Sequence, residues 1–255
     1  MLTLDQILSY TKSSKISKNI LTEYYQHELL ASIFAQKGSE NYSFIGGTAI
    51  RICYGGARFS EDLNFDTLDL NDFDQLLTNT IADMTAKGFI IESRLLHKGA
   101  YHCYLKFPDV LKNYGISGYD EEKLLIKVDA TQTSKLFTQN IILNKYGVFQ
   151  NIKVASPATI LSKKLLTISQ RKRPKGRDLY DVTYLWGMTQ PDQKYLETVG
   201  NITLKDQLVH LTKFVSNLDL NTLARDVSPF LLNPRDQDRV LHFDQFLKSK
   251  LSTTK

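Results

Sequence analysis

Cysteine is scarce in this chain, with only Cys53 and Cys103 among 255 residues. Two thiols are too few for a disulfide framework or a four-ligand zinc site. No run approaches the ~18 consecutive apolar residues of a membrane span, so an integral membrane protein is not expected. The first 30 residues also lack a continuous apolar core and mix Asp5, Glu23 and Glu28 with Lys12, Lys15 and Lys18, so no signal peptide is expected. Internal repeats and long linkers are missing as well. A cytoplasmic protein with ordinary thiols is the expectation. Hydrophobic residues at 42% and charged residues at 23% exclude a wholly disordered chain. The length allows one large domain or two small ones, at about 150 residues per domain.

Each sign of charge is missing from one stretch. Between Lys163 and Arg177 there is no acid but there are seven bases: Lys163, Lys164, Arg171, Lys172, Arg173, Lys175 and Arg177. Between Phe59 and Ala86 there is no Lys or Arg but there are seven acids: Glu61, Asp62, Asp66, Asp69, Asp72, Asp74 and Asp83. The formal charge of +5 therefore conceals a basic window on a body of 25 bases and 27 acids. Opposed blocks suggest mutual neutralisation, or a site with metal ions on one wall and phosphates on the other; two solvated faces are the plainer alternative.

Hydrophobic spacing predicts a helix over Lys15–Gln36, a strand at Asn41–Ile45 ended by Gly46-Gly47, and a short helix over Thr48–Tyr54. A strand at Leu63–Asp66 and a helix over Asn71–Lys87 follow. Phe89–Leu96 and Tyr101–Phe107 read as a hairpin turning at His97–Ala100. Lys112–Asp120 reads as a surface loop, and Leu124–Ala130 alternates like a half-buried strand. The texture changes at Ser156-Pro157, a natural N-cap and first helical residue. From there the chain is almost wholly helical in pattern, with segments at Ala158–Gln170 and Arg177–Trp186. The fold class expected is α+β: a mixed sheet flanked by helices over residues 1–153, then a helical domain over 154–255.

Three constellations carry chemistry. Gly46, Gly47 and Thr48 stand between a strand and a helix, where the backbone can approach a phosphate and helix N–H groups can meet it. On the following strand Leu63 and Phe65 face the core, while Asp62, Asn64 and Asp66 face the other way. Oxygen ligands at i and i+2 lie about 7 Å apart along a strand, close enough to converge on Mg²⁺; Asp66, about 13 Å from Asp62, is too far to share that ion easily. The same residues would serve a turn and an exposed polar strand. Asp129 shares a face with Leu125 and Lys127, and would add a third ligand if its strand lay beside the Asp62 strand; otherwise it is a solvated strand end. In the third constellation Lys164 and Arg171 share a helical stripe, and Asp178 and Asp181 are i,i+3 neighbours able to hold a Lys or Arg. A lysine so fixed suits a triphosphate, and a solvated or RNA-contacting basic helix is the alternative. His97 and His102, without a nearby third ligand, read as structural.

Gly46-Gly47-Thr48, then Arg58-Phe59-Ser60-Glu61-Asp62-Leu63, then Lys164 and Arg177-Asp178-Leu179-Tyr180-Asp181, together resemble the AbiEii/AbiGii nucleotidyltransferase toxin family over residues 44–186. The resemblance implies a DNA-polymerase-β-like nucleotidyltransferase domain, a helical C-terminal domain, Mg²⁺ (or Mn²⁺) and an NTP substrate. It also implies one half of a bacterial toxin–antitoxin or phage-defence pair, hence a cognate antitoxin. Some relatives act on the 3′ end of tRNA, which makes tRNA the expected acceptor. By this resemblance Asp62, Lys164, Asp178 and Asp181 are catalytic. Gly46, Gly47, Thr48, Arg58, Ser60, Arg171 and Arg177 bind the nucleotide, and Asp62, Asn64 and Asp129 hold the metal. The chain departs from the family at one point: Asp62-Leu63-Asn64 stands where D-x-D is common, and one fewer carboxylate favours one ion over two. Two other functions share these features, a catalytically weak or silent nucleotide- or RNA-binding module and a small-molecule nucleotidyltransferase.

Overall fold

Among the described residues seven strands build one mixed sheet: Tyr42–Ile45 (β1), Leu63–Thr67 (β2), Glu92–Lys98 (β3), Ala100–Phe107 (β4), Leu124–Gln132 (β5), Gln139–Lys145 (β6) and Val148–Val154 (β7). They lie in the order β3-β4-β5-β2-β1-β7-β6. In this computed structural model all residues are described except 12, 13, 16, 99, 120 and 255; at 96–98 and 100 the description covers the backbone alone. The chain divides into one unit of Met1–Ala49 with Ser60–Ala155, and another of Ile50–Phe59 with Ser156–Lys255. The fold is α+β.

In the first unit the helices are Leu4–Ser9 (α1), Lys18–Ala35 (α2), Gly46–Cys53 (α3, which ends in the second unit), Phe73–Ala86 (α4) and the short Val110–Asn113 (α5). Helix α2 has no Gly or Pro, and Ser17 caps it by accepting from the Ile20 N–H. It is buried around most of its circumference, polar Glu23, Gln26 and His27 included beside Leu21, Tyr24, Tyr25, Leu29 and Ile33, which suits a helix enclosed by the sheet and by α4. Edge-on rings fill the core: Tyr25 meets Phe107 at 4.8 Å and Phe89 at 5.3 Å between centroids.

Parallel pairing of β2 with β5 sets Asn64 opposite Asp129, and antiparallel pairing of β5 with β4 sets Asp129 opposite His102. The expected hairpin is β3–β4, and its turn residue Gly99 lies outside the described residues. Within the expected loop at 112–120, residues 112 and 113 instead finish α5, which buries Val110 and Leu111; Asp120 lies outside the described residues. The β6–β7 hairpin has no counterpart in the sequence reading. Its turn places Tyr146 (φ 58°) and Gly147 (φ 76°) in the left-handed region, as tight hairpins require. A tyrosine there gives no Asn-Gly signal. Packing holds it instead: the Tyr146 ring is buried against His27 and Tyr24.

The second unit is helical: Pro157–Gln170 (α6), Gly176–Trp186 (α7), Gln193–Val199 (α8), Leu204–Val215 (α9), Leu220–Val227 (α10), Asp238–Leu241 (α11) and Phe243–Thr253 (α12). Ser156 caps α6 with Pro157 at its first position, as the sequence predicts. Helix α6 packs on α7, α8 and α9, while α10 packs on α7. Residues 57–59 join this unit through backbone pairing, with Phe59 N–H donating to Phe230 O (2.8 Å) and Leu232 N–H to Ala57 O (3.1 Å).

Candidate active site

In the sheet unit, the turn from β1 into α3 depends on Gly46. Its φ is +84°, and a Cβ there would stand 3.2 Å from Asn64 Nδ2, so the Asn64 side chain lies directly over the glycine. The first turn of α3 is tied to the start of β2 by Thr48, whose buried Oγ1 donates to Asp62 O at 2.5 Å. The preceding loop is pinned by Gln26 Nε2, which donates to Ser60 O (2.9 Å) and Glu61 O (3.0 Å). Asp62 and Asn64 are thereby fixed beside the N-terminus of α3, both half-buried. Asp66, further along β2, is buried opposite Ser43 of β1.

Asp129 stands next to Asn64, as expected if its strand neighbours β2. Both of its oxygens are engaged: His102 Nδ1 lies 2.6 Å from Oδ1, and Lys127 Nζ donates to Oδ2 at 2.7 Å. These two neighbours had no functional assignment in the sequence. The i,i+2 spacing of Lys127 and Asp129 was a usable signal for one of them, whereas the cross-strand partner could be found only from the register.

In the helical unit the expected residues converge on two buried carboxylates. Arg58 grips Asp181 through Nε–Oδ1 (2.7 Å) and Nη2–Oδ2 (2.6 Å), with 3% and 1% of the side chains exposed. Lys164 Nζ bridges Asp178 Oδ1 (2.7 Å) and Asp181 Oδ2 (2.9 Å). Arg171 Nε approaches Asp178 Oδ2 to 3.3 Å, outside hydrogen-bond geometry, and that oxygen is buried without a hydrogen bond among the described residues. Burial pushes both carboxyl pKa values up. The nearby cations outweigh it and hold them below the usual range: Lys164 and Arg171 at Asp178, Arg58 and Lys164 at Asp181. The i,i+3 acids thus do hold a lysine. Arg58, expected at the nucleotide, has its guanidinium committed to Asp181, while Ser60 and Arg177 are half-buried.

The family model described as "Nucleotidyl transferase AbiEii toxin, Type IV TA system" matches residues 28–249. The chain belongs to the AbiEii nucleotidyltransferase toxin family. Membership implies a nucleotide substrate and an antitoxin partner. Two crystal structures share the fold, both from Helicobacter pylori. JHP933 has 17% identity and a TM-score of 0.56, covering 94% of this chain and 95% of that one. A candidate nucleotidyltransferase has 17% identity and a TM-score of 0.57, covering 92% and 97%. No curated protein matches the chain. No helix among the described residues is long and apolar enough to cross a membrane.

The divalent metal expected from the sequence would find few donors in this AbiEii member. The Asn64 amide oxygen in β2 and the Asp62 carboxylate, one residue before that strand, are hard donors two positions apart. Among the described residues no three His, Cys, Asp or Glu side chains are grouped to hold a metal. Asp129, the expected third ligand, already carries a lysine and a histidine.

Proposed function

We propose that this chain transfers a nucleotide from an NTP to an acceptor hydroxyl, with the tRNA 3′ end as acceptor and Mg²⁺ (or Mn²⁺) as cofactor. It would act in the cytoplasm as the toxin of a pair that an antitoxin restrains, with phage defence as the setting the resemblance suggests. The observation that carries the reading is the junction of α3 and β2, where Thr48 ties a Gly46-Gly47 helix start to Asp62. Backbone N–H groups at that helix start suit phosphate oxygens. The acceptor oxygen attacks the α-phosphorus, the bond to the β-phosphate oxygen breaks, pyrophosphate leaves, and the hydroxyl proton passes to solvent. Asp62 and Asn64 would hold the divalent cation, which when bound would supply positive charge against the triphosphate. In the helical unit, Lys164 is held by Asp178 and Asp181, and Arg58 holds Asp181 in turn; the resemblance alone gives this lysine a catalytic part.

Incubation with labelled NTPs, Mg²⁺ and total tRNA tests this. Label should move to tRNA with the wild type and fall at least about a hundredfold with Asp62→Ala. Absence of transfer where a known transferase labels the same tRNA would sink the proposal. A silent binding module is the second reading, favoured by the amide at Asn64 and the lysine on Asp129. It expects NTP binding without transfer, and activity gained on Asn64→Asp.

A further inference from the structure

Continuing the parallel β2–β5 register by one residue brings Asp62 beside Lys127, just as Asn64 stands beside Asp129. Partners in such a ladder share a face of the sheet, so Asp62, Asn64, Lys127 and Asp129 form one patch on two neighbouring strands, ~4.8 Å apart. The buried residues Leu63, Phe65, Ile126 and Val128 fill the opposite face and keep these four in place. Lys127 Nζ is 2.7 Å from Asp129 Oδ2, with side chains 25% and 17% exposed, so the ammonium is a fixed part of the patch.

We infer that Lys127 is a built-in cation that takes the place of one divalent metal ion, leaving a single-ion site on Asp62 and Asn64. This deepens the proposed nucleotidyltransferase reading and rests on it. Two ions need acidic ligands to offset their charge, and a shared clamp of that kind is how two-metal sites hold attacking and leaving oxygens. Here the four side chains carry two negative charges and one positive. A second divalent ion near Asp129 would have to displace Lys127 from Oδ2, with His102 already on Oδ1, and would lose the attraction of Asp129 to the ammonium. Asn64 completes the pattern, since an amide beside a lysine-capped acid removes the ligand charge that a second ion requires. Lys127 is therefore a positioning residue that sets the metal count and orients Asp129.

Mn²⁺ titration of the full chain without nucleotide, read by electron paramagnetic resonance, tests the inference. Lys127→Gln is expected to bind one more Mn²⁺ than the wild type, or to bind it about tenfold more tightly, since a positive charge leaves the patch. Lys127→Arg, which keeps the charge, should behave as the wild type. Lys127→Gln combined with Asn64→Asp should strengthen the second ion further. Two ions already present in the wild type, or a Lys127→Gln variant unchanged in Mn²⁺ binding, would overturn the inference. An equal gain in Lys127→Arg would overturn it too, by marking the effect as loss of packing. Far-ultraviolet circular dichroism of each variant identifies the folded ones, and Lys127→Met replaces any that is not. Failure of the parent reading looks different: NTP label would not reach any acceptor, whatever the metal count.

Discussion

Arg58 and Asp181, 123 positions apart, form a two-point ion pair of 2.7 and 2.6 Å with almost no exposure on either side. The pair holds an arginine from the segment before β2 to the α7 helix, and Asp181 in turn holds Lys164. Removing Arg58 takes the two-point partner from a fully buried carboxylate and leaves Asp181 with Lys164 alone. Arg58→Met should therefore cost about 3–5 kcal/mol of unfolding free energy. Replacing both, as Arg58→Met with Asp181→Leu, should recover part of that loss, although Lys164 then keeps only Asp178. Urea unfolding of the three proteins decides it; a single variant as stable as the wild type would show that the pair is not needed.

The same acids set a pH dependence. Burial pushes the Asp178 and Asp181 pKa values up, but Lys164, Arg171 and Arg58 outweigh it and hold both below the usual carboxylate range. At pH below 3.8 the unfolded chain takes up protons that the folded one refuses. Their stabilisation is thus fully present above about pH 4 and lost as the pH falls through the depressed folded values. Each such proton contributes a slope of about 1.4 kcal/mol per pH unit. Asp178→Asn should flatten the fall in stability as the pH drops below the unfolded carboxylate range, by up to about that slope. Unfolding curves over the acid range measure it, and an unchanged slope would discount Asp178.

Much of this was legible locally. Ser156-Pro157 marked the start of α6, the alternation of Leu124–Ala130 marked β5, and the i,i+3 acids announced a held lysine. What was not legible depended on distant pairing. Arg58 meets Asp181, 123 positions away, and bridges to Leu231, and no local spacing records either contact. His102 meets Asp129 only through the β4–β5 register. The β6–β7 turn stayed hidden because a buried ring stabilises Tyr146 at positive φ, in place of a residue that favours that conformation by itself.

Gly176, at the start of α7 inside the basic motif, is required by close packing. A Cβ at this position would stand 1.8 Å from Leu223 O in α10, and its own N–H donates to Asp226 Oδ2. Gly176→Ala would have to push α7 and α10 apart, at a cost of about 3 kcal/mol or more. Gly38 is the contrast: its φ of +89° strains an alanine, but nothing lies within 4 Å of the added carbon. Gly38→Ala should cost only about 1 kcal/mol. Thermal unfolding of both ranks them, and a Gly176→Ala variant no worse than Gly38→Ala would refute the packing argument.

The basic window divides by exposure into two roles. Arg171 and Lys164 are committed to Asp178, whereas Lys172 and Arg173 are exposed and Lys175 is half-buried. If tRNA is the acceptor, those three are free to neutralise backbone phosphates in a way that the inner pair is not. Changing Lys172, Arg173 and Lys175 together to Gln should weaken tRNA binding and lower the log–log salt slope by about 2–3, at ~0.7–0.9 per lost phosphate contact. Stability should move little, within about 0.5 kcal/mol per site, because no buried group loses its partner. Filter binding across a salt series measures the slope. A small-molecule acceptor would instead leave turnover intact in the triple variant, and an unchanged slope with unchanged turnover would remove tRNA from this face of the protein.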